Sequence, residues 1–137
     1  MPLPWYLRAL SLLTAGGVAT LLIVAGQLQP AAAGYGTHRQ LGLPGCLSLS
    51  LFDTTCPACG MTTAWAWLLQ GEFQRSLAAN AGGCLLAIIA LAYLPLSCYF
   101  LCGGSVSLRG RWCWAFGLGI LSALAIATVQ WSGRLLP

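Results

Sequence analysis

Residues 81–102 read AGGCLLAIIALAYLPLSCYFLC, a run without a single Asp, Glu, Lys, Arg or His. As a helix, at about 1.5 Å per residue, it is long enough to cross a hydrocarbon layer about 30 Å thick. The rest of the chain suits the same medium. Of 137 residues, 58% are hydrophobic and 6% are charged, whereas soluble domains carry about 25% charged residues. Two acids, six arginines and no lysine cannot build a polar surface. The composition predicts an all-α integral membrane protein, a small helical bundle forming one membrane domain over 1–137.

Two further spans are expected. Ala9–Leu28 is apolar and preceded by Trp5, Tyr6 and Arg8, residues suited to an interface. Arg8, the apolar run and Ala31-Ala32-Ala33 also have the outline of a secretory signal peptide. The run exceeds the usual apolar core of such peptides, which favours a retained anchor. The third span is Trp112–Trp131. Pro95 removes a hydrogen bond from the second span, 81–102, and predicts a kink near Leu91. Gly119, Ala123 and Ala127 form a small-residue ridge on the third span, as do Gly83 and Ala87 on the second. Such ridges let helix backbones approach closely, and packing within the bundle is the expected use.

The arginines are scattered singly, so no basic stripe points to nucleic acid. Their distribution predicts orientation instead. Arg109 and Arg111 fall in the short Gly103–Arg111 loop and Arg8 abuts the first span, which places these on the cytoplasmic side. The segment 29–76 is then extracytoplasmic.

That segment holds the residues with chemistry. PAAAGYGTHRQLGLPG, residues 30–45, is Gly- and Pro-rich and reads as irregular. LSLSLF, 47–52, is too short to assign. A short apolar helix is expected over 61–70, ended by Gly71 as a C-cap and too short to cross. A further helix starts near Glu72 or Phe73 and continues into the second span. Between them lies Cys56-Pro57-Ala58-Cys59-Gly60.

Three uses of these thiols are open. With Pro57 at a first helical position, Cys56 would sit at the N-cap, where the helix dipole lowers a thiol pKa. Cys56 would then attack and Cys59 resolve, as in a thiol–disulfide oxidoreductase, although no βαβ pattern surrounds the pair. C-P-x-C-G is equally the form of a zinc knuckle, and Cys46 and His38 could complete a Cys-Cys-Cys-His set. Third, Cys46 could pair with Cys56 or Cys59 in a disulfide that staples the loop. Cys84, Cys98, Cys102 and Cys113 read as small packing hydrophobes. Only His38, Asp53 and Glu72 could serve acid–base work, and Asp53 is expected to be solvated or to cap a turn. No serine elbow, phosphate loop or carboxylate pair appears. Nor do the spans carry the ionisable residues that mark a transport path.

Cys46, the run Cys56-Pro57-Ala58-Cys59-Gly60-Met61-Thr62, and Ala64, Leu68, Gly71 and Asn80 together resemble the family of small bacterial membrane proteins known as domain of unknown function 2752. Its pattern is C-P-x-C-G-[Leu/Met]-T-[Arg]-A with an upstream cysteine, a glycine after the short helix and a downstream Asn-Pro. The resemblance covers about residues 38–100 and implies a small helical membrane bundle in the bacterial inner membrane, with no activity attached. Pro57, Gly60, Thr62, Gly71 and Asn80 are its structural motif residues. Two positions depart from it: Thr63 stands where an arginine is usual, and Ala81 where a proline is usual.

The expected protein is therefore multi-pass, with the bilayer as its medium and another membrane protein as a candidate partner. Cys46, Cys56 and Cys59 order an interfacial loop by disulfide or metal, in a role that is not catalytic. The alternative is an oxidoreductase using Cys56 and Cys59.

Overall fold

The computed structural model describes residues 4–102 and 106–135, the side chains of 106–109 excepted. It is helical throughout, with α1 (Trp5–Gln27), a 3-10 turn (Thr37–Leu41), α2 (Leu47–Phe52), α3 (Met61–Leu69), α4 (Phe73–Leu101) and α5 (Val106–Leu135). Among the described residues, three helices, Trp5–Gln27, Phe73–Leu101 and Gly110–Leu135, are long and apolar enough to cross a membrane. Exposed Leu12, Leu13 and Ile23 on α1, and Leu118, Leu121 and Val129 on α5, turn outward. With lipid as solvent, such exposure costs nothing, and the core can be small.

That core is built from small residues around α4, which touches α1, α3 and α5. Ala123 and Ala127 of α5 are buried. A Cβ on Gly82 would collide with the Ala123 carbonyl oxygen and stand 2.7 Å from the Ala127 Cβ. The ridge of the third span thus packs inside the bundle, as close backbone approach requires. Gly83, beside Gly82, faces α3 instead: its Cβ would lie 2.9 Å from the Met61 Cα.

Four local features differ from the sequence reading or extend it. LSLSLF is a short helix, α2, closed by Asp53 at φ 51°. The loop expected at Gly103–Arg111 is largely the start of α5, while residues 103–105 and the Arg109 side chain lie outside the described residues. Gly71, at φ 84°, ends α3 with a pair of bonds: its N–H to the Leu68 carbonyl at 3.0 Å and that of Glu72 to Trp67 at 2.9 Å. This is the Schellman arrangement, and it turns the chain sharply into α4. Within α4, Pro95 is accommodated, and the residue that leaves helical geometry is Asn80, at φ −163° and ψ 107°.

A break in a membrane helix must have its freed backbone groups satisfied. Here α5 does this. Gln130 Oε1 accepts from the Ala81 N–H at 2.7 Å, and its Nε2 donates to the Leu77 carbonyl at 3.1 Å. Arg134 donates to the carbonyls of Ala78 at 2.7 Å and Ala79 at 2.9 Å. Ala81 thus carries an N–H that a proline would lack, and Gln130 supplies its acceptor.

Candidate functional site: a three-cysteine cluster

The site is a turn gripped from below. Cys56-Pro57-Ala58-Cys59 closes with the Cys59 N–H on the Cys56 carbonyl at 3.0 Å, and Pro57 sits where a turn favours a preset φ. Gly60 follows at φ 89° and is the N-cap of α3. A side chain there would be strained by that φ and would also collide, since a Cβ would meet the carbonyl oxygens of Ala79 at 2.6 Å and Gly34 at 2.7 Å. The N-cap expected at Cys56 is therefore corrected. The turn completes itself before α3 begins, so Cys56 lies four residues ahead of the cap and Pro57 is a turn residue.

Asn80, at the break in α4, holds the turn. Its Nδ2 donates to the carbonyls of Pro57 at 3.0 Å and Cys59 at 3.1 Å, and its Oδ1 accepts from the Gly83 N–H at 2.7 Å. The break frees the side chain from the helix and aims it at the turn. From α5, Trp131 Nε1 donates to the Thr55 carbonyl.

Cys46 arrives from the other side, as N-cap of α2. The Sγ atoms of Cys46, Cys56 and Cys59 all lie within 4.8 Å of one another, the Cys56 and Cys59 sulfurs at 3.3 Å. All are free thiols, and Cys59 is buried. The Cys46 thiol is lowered from the ordinary 9.0 to about 6, chiefly by its hydrogen bond with Cys59 and then by the Leu49 backbone. Burial pushes the Cys59 thiol up to about 12, and its hydrogen bonds with Cys46 and Cys56 add to this. In this proton distribution Cys46 is the thiolate and Cys59 the donor.

His38 does not join the group. Its Nε2 contacts the Pro44 carbonyl at 3.2 Å. It does line, with Cys46 and Cys59, a cavity of about 720 Å³. Thr62 borders a separate, apolar cavity of about 320 Å³ between α1 and α3. Thr63 is buried and hydrogen-bonds Thr37 at 2.8 Å, and Thr37 in turn accepts from the Ala31 N–H at 3.0 Å. This pair ties the 3-10 turn to α3. Sequence reasoning gave no role at the site to Thr37, Gln130, Trp131 or Arg134. A glutamine inside an apolar span is the one signal that points to such a role.

These features define a small multi-pass helical membrane protein in which three thiols, from a turn and from the N-cap of α2, converge. Residues 46–94 match the model of the family described as protein of unknown function, DUF2752, so this segment is similar to that family. The matched segment runs from Cys46 through the turn, α3 and most of α4. No curated protein and no solved structure matches the chain.

Proposed function

We propose that Cys46, Cys56 and Cys59 hold one soft metal ion, best zinc, and that this ion orders the loop between the first two membrane helices for recognition at the membrane surface. The role is one of binding, not catalysis. The observation that carries the reading is the convergence of three sulfurs within 4.8 Å from two separate segments. Zn–S bonds of about 2.3 Å place sulfurs about 3.8 Å apart around a tetrahedral ion. The spacing here brackets that value with little movement. Soft thiolates select zinc or Cu(I) over hard cations, and any proton on a ligating thiol would leave to solvent as the ion binds.

A second reading rests on the 3.3 Å approach of Cys56 and Cys59. As a thiol–disulfide pair they would give up two electrons and two protons to a partner disulfide as their own S–S bond forms. The test is metal content by elemental mass spectrometry, with a thiol count before and after reduction, on detergent-purified protein. About one zinc per chain, lost in Cys46→Ser, Cys56→Ser and Cys59→Ser alike, is the expected result. Metal-free protein with a Cys56–Cys59 bridge that opens under mild reductant would overturn it in favour of the oxidoreductase.

A further inference from the structure

Among the described residues, three sulfurs come together with no fourth His, Cys, Asp or Glu ligand atom in the group. Structural zinc sites close with four protein ligands, whereas three protein ligands leave a position for something else. The surroundings say where that position lies. Cys46 and Cys59 form part of the wall of the 720 Å³ cavity, whose polar lining includes Tyr35, His38, Arg39 and Ser50. A cavity of this size admits a small molecule or a peptide side chain. Below the sulfurs the turn is filled: Gly60 has no room for a Cβ, and Asn80 occupies the space beneath Pro57 and Cys59.

The charge on this cavity is one-sided. Arg39 is exposed and lines it, and no acidic residue does. Its guanidinium folds over Gly45, with Nε and Cζ at 3.9 and 4.0 Å from where a Cβ on that glycine would stand. Gly45 precedes Cys46, and Arg39 lines the same cavity as Cys46 and Cys59. The 3-10 turn that carries Arg39 is itself fixed through Thr37 and Thr63.

Resting on the metal reading above, the geometry points to an open coordination position that faces this cavity and takes an external thiol bearing a carboxylate. The sulfur coordinates the ion and its proton leaves to solvent; the carboxylate pairs with Arg39. A free cysteine derivative and a cysteine-bearing peptide share this chemistry. The three-cysteine cluster is then a receptor for an acidic thiol.

The test uses full-length protein loaded with Co²⁺, whose visible bands report its coordination shell. N-acetylcysteine should shift those bands saturably. In Arg39→Gln the titration should need about tenfold more ligand, the loss of one charge-assisted contact, with cobalt affinity unchanged. Cysteamine, a thiol without a carboxylate, should bind both proteins alike, and His38→Ala should leave the starting spectrum unchanged. Bands indifferent to N-acetylcysteine but altered by His38→Ala would mean that His38 closes the site, overturning the inference and leaving the metal reading intact. A shift to which Arg39→Gln makes no difference overturns the acidic-thiol assignment. Absence of thiolate-to-cobalt bands in the first place sinks the metal reading itself.

Discussion

At the scale of single residues, Cys46 is set apart from the other two thiols by what surrounds it. It caps α2 and accepts hydrogen bonds from Cys59 and from backbone N–H groups, so its thiolate is favoured at neutral pH. Cys59, buried against Asn80, is held protonated. Lowering a thiol pKa widens the pH range over which it is charged and nucleophilic. In metal-free, reduced protein, alkylation of Cys46 should therefore reach half its limiting rate near pH 6 and fall below that, while unfolded protein should show the midpoint of an ordinary thiol near 9. Because the Cys59 hydrogen bond is the largest cause, Cys59→Ala should move the Cys46 midpoint upward. Mass-spectrometric rates at each cysteine read both. An unmoved midpoint in Cys59→Ala would assign the shift to the backbone donors.

Among the elements, the break in α4 matters most. A continuous helix would direct the Asn80 amide along its own backbone; the extended geometry at this one residue releases it to bind Pro57 and Cys59. The turn that presents the thiols is thus a product of three helices: α3 by its N-terminus, α4 by Asn80, and α5 by Gln130, Trp131 and Arg134. Asn80→Ala strips partners from two carbonyls and one N–H, a cost of about 2–4 kcal/mol where such groups are poorly hydrated. Thermal unfolding in detergent, followed by dye labelling of the fully buried Cys84, should show a clearly lowered midpoint. Gln130→Leu should give a smaller drop, since two bonds are lost and the side chain is near the surface. Equal, negligible effects would show that the break needs neither residue.

Over the whole molecule, α4 is the shared partner: α1, α3 and α5 all pack on it. Its length separates the cysteine turn at one end from Cys98 and Cys102 at the other, by about 1.5 Å for each residue between. Orientation therefore has a direct test. With the loop extracytoplasmic, a Leu41→Cys reporter on its exposed 3-10 turn should react with a membrane-impermeant maleimide on intact cells. Cys102 and Cys113, both exposed, should react only after permeabilisation. The reverse pattern would invert the topology derived from Arg8, Arg109 and Arg111.

The apolar runs were enough to establish a helical membrane bundle, because crossing lipid depends on length and polarity that any linear reading can count. The short helix after the turn and its end at Gly71 were equally legible, since a left-handed cap is a local requirement with a local residue preference. Cys56 and Cys59 announced themselves by spacing. What no linear reading supplied was the place where α4 breaks: Pro95 is the familiar cause of a kink, yet the helix opens at Asn80, where α5 offers Gln130 and Arg134 to the freed backbone. Nor could spacing decide that Cys46 would reach the other thiols while His38 turned to Pro44. Those outcomes depend on side chains meeting across elements far apart in sequence, and such meetings are set by packing in three dimensions, here by the small residues that let α3, α4 and α5 come so close.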